Sequence, residues 1–136
     1  MLRSFALVIA LGMSATGAWA QDAGGAAIRE VISRQIEAFK ADDFATAFGF
    51  ASPAIKEIFG SPERFGAMVR EGYPMVWRPG GVRFIELREK DGRMVQSVQV
   101  TDQAGALYVL EYEMVPGPDG WQINGVTVRR SDDAAA

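Results

Sequence analysis

The sequence predicts an α+β domain in which helices pack on one face of a curved antiparallel sheet. Three observations carry that expectation. Apolar residues recur at helical spacing through the first half of the chain, the period changes to two after Gly81, and turn signals divide the second half into four strand-like runs. No internal repeat interrupts this order, and 136 residues suit one domain of ordinary size.

The first helix is expected over Ala26–Lys40, where Ile28, Val31, Ile32, Ile36 and Phe39 form one apolar stripe. Asp42 or Asp43 then stands where an acidic N-cap would start a short second helix carrying Phe44, Phe48 and Phe50, with Gly49 weakening it. A bound cation at this acidic pair is the competing reading, and helix capping accounts for both residues without one. Two further helix starts share one design. Ser52 and Ser61 can accept from orphan amides, and Pro53 and Pro62 occupy the first helical position, where no N–H is missed. The helix after Ser61 turns Phe65, Met68 and Val69 inward, and Gly72 is placed to end it.

The stretch REGYPMVWRPGG, Arg70–Gly81, makes the corner between helices and strands. Pro74 and Pro79 hold Tyr73 and Arg78 out of the helical region. A short extended strand over Tyr73–Arg78 is expected, with Tyr73, Met75 and Trp77 on one side and Val76 and Arg78 on the other. In the structural reading Tyr73 and Trp77 close the core. In the functional reading they frame a cavity, and Arg78 offers a fork to an anionic group.

Strands are expected over Val82–Glu89, Met94–Thr101, Leu107–Val115 and Trp121–Arg129. A two-residue turn at Asp91-Gly92 sets Lys90 opposite Arg93, and therefore Ile85 opposite Val98 and Leu87 opposite Gln96. A three-residue loop over Gln103–Gly105 sets Val100 opposite Tyr108, Val98 opposite Leu110, Gln96 opposite Tyr112 and Met94 opposite Met114. The face that meets the helices then collects Ile85, Leu87, Met94, Gln96, Val98, Val100, Tyr108, Leu110, Tyr112 and Met114. The other face carries Val82, Phe84, Val95, Leu107 and Val109 among Glu86, Ser97, Gln99, Glu111 and Glu113. Its apolar part is a candidate surface for a homodimer through the sheet. Trp121, Ile123, Val126 and Val128 share one face only if a bulge sits at Asn124-Gly125.

Residues 1–20 read as a signal peptide. Arg3 precedes an apolar run from Phe5 to Met13, and Ala18-Trp19-Ala20 has the small-x-small pattern of a cleavage site. The run is too short to span a bilayer, so no integral membrane segment is expected after processing. Residues 21–130 form the expected domain, 131–136 a frayed tail, and the protein is expected to be periplasmic or secreted. Without cysteine the core must hold the exported fold together unaided, and a hydrophobic content of 49% makes that feasible. The net charge of −3 argues against a nucleic-acid surface.

The chain has neither His nor Cys, which removes imidazole bases, thiol nucleophiles and the Ser-His-Asp arrangement. Asp, Glu, Tyr and Lys remain for acid–base work. The inner face of the sheet offers Gln96, Tyr108 and Tyr112 but no carboxylate, an argument that depends on the turn at Gly105. A slip of one residue would bring Glu111 and Glu113 inward. No cofactor or metal site is indicated. The candidate ligand-binding residues are Tyr73, Trp77, Arg78, Gln96, Tyr108, Tyr112 and Trp121.

The order of elements resembles the NTF2-like, or SnoaL-like, cone fold. A more specific likeness runs through Gln35, Phe39, Asp42-Asp43, Ala47-Phe48, Phe50-Ala51-Ser52-Pro53 and Phe59-Gly60. It continues through Pro62-Glu63-Arg64-Phe65, Met68-Val69, Gly72-Tyr73-Pro74, Arg78-Pro79, Gly120-Trp121 and Ile123-Asn124-Gly125. On these residues the chain is similar to the exported bacterial DUF4864 family. The resemblance implies a fold and no activity, since cone folds host isomerases, dehydratases and plain binders alike. The reading preferred from sequence is a non-catalytic domain that binds a small apolar or weakly polar ligand, pairs through its sheet, or both. A cone-fold isomerase or dehydratase using a carboxylate and a tyrosine is one alternative. An accessory interaction protein of the cell envelope is the other.

Overall fold

In a computed structural model describing residues 16–131, the chain forms five helices followed by four strands. Helix α1 spans Thr16–Lys40. Its stripe is the expected one: Ile28, Ile32, Ile36 and Phe39 are buried, whereas Arg29, Glu30, Ser33, Arg34 and Glu37 face water. The proposed signal peptide lies outside the described residues apart from the backbone of its last five, which begin α1. Among the described residues no helix is long and apolar enough to cross a membrane.

Asp42 leaves the helix with a left-handed φ of 56°, and Asp43 caps α2, Phe44–Gly49, by accepting from the N–H and hydroxyl of Thr46. The same two bonds hold the Asp43 carboxyl below the usual carboxylate range, the hydroxyl contributing most. Ser52 and Ser61 cap α3, Pro53–Phe59, and α4, Pro62–Gly72, each with proline in the first turn.

The expected strand over Tyr73–Arg78 is instead a single helical turn, α5, Pro74–Trp77. Proline constrains the residue before it, so Tyr73 and Arg78 do stay non-helical, with φ, ψ of −138°, 63° and −144°, 78°. Nothing constrains the residues after Pro74, and proline at the first helical position favours the turn. The alternation of sides disappears with the strand: Val76 is buried and Tyr73 is 42% exposed.

The four strands are β1 (Gly81–Lys90), β2 (Arg93–Thr101), β3 (Leu107–Gly117) and β4 (Gly120–Arg130), in the antiparallel order β1-β2-β3-β4. Asp91 and Gly92 both have positive φ, as a type I′ turn requires. Gly105 is left-handed, and Asp102 ties its loop by accepting from the N–H groups of Ala104 and Ala106. The β2–β3 register is the expected one throughout, with Gln96 opposite Tyr112. Glu111 and Glu113 therefore stay on the outer face.

The β1–β2 register changes midway. Leu87 faces Gln96 as expected, but a bulge at Ile85 puts Phe84, not Ile85, opposite Val98. Phe84 joins the core and Ile85 is 48% exposed, so the expected faces of these two residues are exchanged. Beyond the bulge Val82 also moves to the inner face, opposite Val100. In β4 the expected bulge is present at Asn124, which keeps Ile123, Val126 and Val128 on one face opposite Met114, Tyr112 and Leu110.

The helices cover the inner face, so the fold is α+β as expected. Phe65 of α4 sits at the hub of an aromatic knot, with ring centroids 5.8 Å from Phe39, 5.3 Å from Phe48 and 5.6 Å from Phe59. Gly66 allows this approach, since a methyl group there would overlap the Phe44 ring. The outer face is ion-paired. Arg88 donates to Ser97 and Glu111, and Arg93 donates to Glu113 at 2.8 Å. Val95 stands in register between Arg88 and Glu113, and Phe84 has left that face, which shrinks the apolar surface proposed for a dimer.

Candidate functional site

A cavity of about 290 Å³ opens where α3 and α4 meet the edge strand β4. Helix α3 supplies Ile55 and Phe59, α4 supplies Phe65, Met68 and Val69, α5 supplies Val76, and β4 supplies Ile123, Val126 and Val128. Two physical causes keep it open. Helix α3 buries none of its residues fully, and its Ile55 and Phe59 pack only partly against the core. The bulge at Asn124 turns Val126 and Val128 inward at the sheet edge, where no described strand lies beside them.

The α3 wall is attached by polar bonds at its N-terminus and by the Phe59 ring on Phe65 at its other end. Ala51 bridges to Ile123 through two backbone bonds of 2.8 Å, Ser52 N–H to Ile123 C=O and Ile123 N–H to Phe50 C=O. Ser52 caps α3 and also donates its hydroxyl to Asn124 Oδ1 at 2.7 Å, while Asn124 Nδ2 donates to Glu113 at 2.7 Å. The bulge residue thus connects the cavity wall to the charged outer face. This gives a structural role to Ser52 and to Ile123-Asn124-Gly125.

Of the residues expected at a ligand site, Tyr73 alone lines this cavity, at its exposed end. Trp77 and Arg78 face elsewhere. Trp77 Nε1 donates to one oxygen of Asp42 at 2.9 Å, Arg78 donates to the other at 3.0 Å and to Lys40 C=O, and the guanidinium stacks 4.2 Å from the Trp77 ring. Arg78 therefore gives Nη2 to both Asp42 and Lys40 C=O, and the stretch Arg70–Gly81 is a latched corner between α1 and β1. Tyr108 is half-buried beneath Arg130, whose guanidinium lies 5.7 Å from the ring centroid. Trp121 lines a separate recess with Val31 and Phe50.

Gln96 and Tyr112 are brought together, opposite each other and both buried. The Gln96 amide donates to the carbonyls of Glu86 and Ser97. Its Oε1 and the Tyr112 hydroxyl have no partner among the described residues. Burial pushes the Tyr112 phenol well above its ordinary value, so it is neutral at any physiological pH. Neither residue lines the cavity.

The residue that sequence reasoning missed is Gln35. It is 3% exposed, lines the cavity, and donates Nε2 to Ala47 C=O at 3.1 Å. The signal was available: Gln35 is the polar member of the stripe Ile28, Ile32, Gln35, Phe39. Among the described residues no Asp, Glu, Lys or Arg lines the cavity, and no three acidic side chains gather as a metal site would require.

A search of curated proteins finds no match to the chain. A family model described as a domain of unknown function (DUF4864) matches residues 21–136, which takes in every element from the body of α1 to the end of β4. The chain belongs to the DUF4864 family.

Proposed function

We propose that the protein is a non-catalytic module that holds one small apolar or weakly polar molecule in the cavity between α3, α4 and β4, in an NTF2-like fold and an exported setting. The observation that carries the reading is the described lining, which is apolar except for Gln35 and Tyr73 and contains no ionisable acid other than the tyrosine. A volume of about 290 Å³ is near the lower end for ligand cavities and suits a compact molecule. Acid–base catalysis finds less support, because a general base must lie within reach of its proton. Glu111 and Glu113 are held by Arg88 and Arg93 on the opposite face of the sheet. The ion-paired outer face likewise lends little to pairing of two copies through the sheet. The exported setting rests on the leader-like residues 1–20.

Native mass spectrometry of the protein purified gently from its own cells tests this reading. An added small-molecule mass is expected on the wild-type, and its loss is expected in Val126→Trp, which fills the cavity mouth. A bare wild-type mass together with no uptake of an apolar fluorescent dye overturns the reading.

A further inference from the structure

We infer that the molecule the cavity takes is a neutral, singly hydroxylated hydrocarbon of about ten non-hydrogen atoms, its hydroxyl donating to Gln35 Oε1; the inference rests on the binding reading above. Size comes first. A cavity of about 150 Å³ holds benzene, and this one is about twice as large. Charge comes next. With no Lys, Arg, Asp or Glu in the described lining, an ionised carboxylate or ammonium would enter without a counter-charge, and its desolvation would go uncompensated. The ligand is therefore neutral.

The hydroxyl is required by the chemistry of one amide. The partner of the Gln35 side chain is the Ala47 carbonyl, which can only accept, so the NH₂ group must face it. That assignment leaves Oε1 as the acceptor that Gln35 presents from a buried position in the cavity wall. A ligand that displaces water from this amide without a donor of its own leaves the oxygen unpaired, so a ligand that brings one donor is favoured over one that brings none. Tyr73, the other polar lining residue, is 42% exposed and stays hydrated at the mouth. The site thus discriminates at its buried wall and tolerates variation at its mouth.

The test uses three probes of similar shape on the full chain at neutral pH: 4-propylphenol, propylbenzene and 4-propylbenzoate, with affinities read by titration calorimetry. On the wild-type, 4-propylphenol is expected to bind about fivefold more tightly than propylbenzene, the range of one net hydrogen bond, and the benzoate not measurably. In Gln35→Met, which keeps length and removes the amide, the preference for the phenol is expected to vanish while propylbenzene binding is retained. Propylbenzene binding as tightly as the phenol on the wild-type, the benzoate binding best, or a phenol preference that survives Gln35→Met overturns the hydroxyl inference and leaves the cavity reading standing. Failure of all three probes overturns the cavity reading itself. If Gln35→Met does not fold, the wild-type series alone decides between these outcomes.

Discussion

The two ends of the helical layer are packed by opposite rules. Under α2 and α4, Phe39, Phe44, Phe48 and Phe65 interlock so closely that position 66 has no room for a methyl group. Between α3 and β4, comparable apolar side chains line a space of about 290 Å³. The difference does not lie in hydrophobicity, since both ends are apolar. It lies in how each end is anchored: α2 and α4 press on each other through aromatic rings, while α3 is attached at its N-terminus and buries nothing fully. An apolar surface becomes a cavity where the element that should cover it is held chiefly by polar bonds at one end, with a single ring contact at the other.

The comparison is broken most directly at the knot. Phe39→Ala should cost about 3–5 kcal/mol, the range for deleting a buried aromatic, measured by urea denaturation; a loss below about 1 kcal/mol would mean that the knot is as loosely packed as the cavity. Gly66→Ala sharpens the same contrast. One added methyl should cost about 1–3 kcal/mol by overpacking against Phe44, whereas the far larger change Val126→Trp at the cavity mouth should stay within about 0.5 kcal/mol. Equal costs for the two would erase the distinction.

A small effect of the opposite sign is expected at Tyr112, which belongs to neither end. Its buried hydroxyl has no partner among the described residues, so Tyr112→Phe should stabilise by about 1 kcal/mol at neutral pH. The pH dependence has a definite sign. An unfolded tyrosine ionises near about pH 10 while the folded phenol does not, so the unfolded state binds fewer protons and wild-type stability falls as pH rises past that point. Denaturation curves on either side of that pH should show a weaker alkaline loss in Tyr112→Phe.

Much of this architecture was legible in the sequence, for reasons that differ by element. The β2–β3 register is dictated by Gly105, because one left-handed residue sets the loop length and every pair after it. The bulge in β4 was legible because Asn124-Gly125 interrupts an otherwise regular alternation. The bulge at Ile85 was not, since Phe84 and Ile85 are both apolar and either phase satisfies the pattern. The turn over Pro74–Trp77 was misread because proline's hold on Tyr73 was extended to residues it does not constrain. A cavity was expected but its place was not legible, since of the expected residues Tyr73 alone lines it and its size depends on how loosely α3 packs. Gln35 marked its buried wall, one amide in an apolar stripe.

The slight attachment of α3, polar bonds at its N-terminus and one ring contact at Phe59, has a consequence for time as well as for shape. An element that buries nothing fully detaches at a free energy well below that of global unfolding. Releasing the Ser52–Ile123 and Ser52–Asn124 bonds would swing out Ile55 and pull Phe59 from Phe65, while the rings of Phe39, Phe44, Phe48 and Phe65 stay packed. Residence in the cavity would then be governed by how often that short helix lets go, so an occupant could exchange many times within the lifetime of one folded molecule.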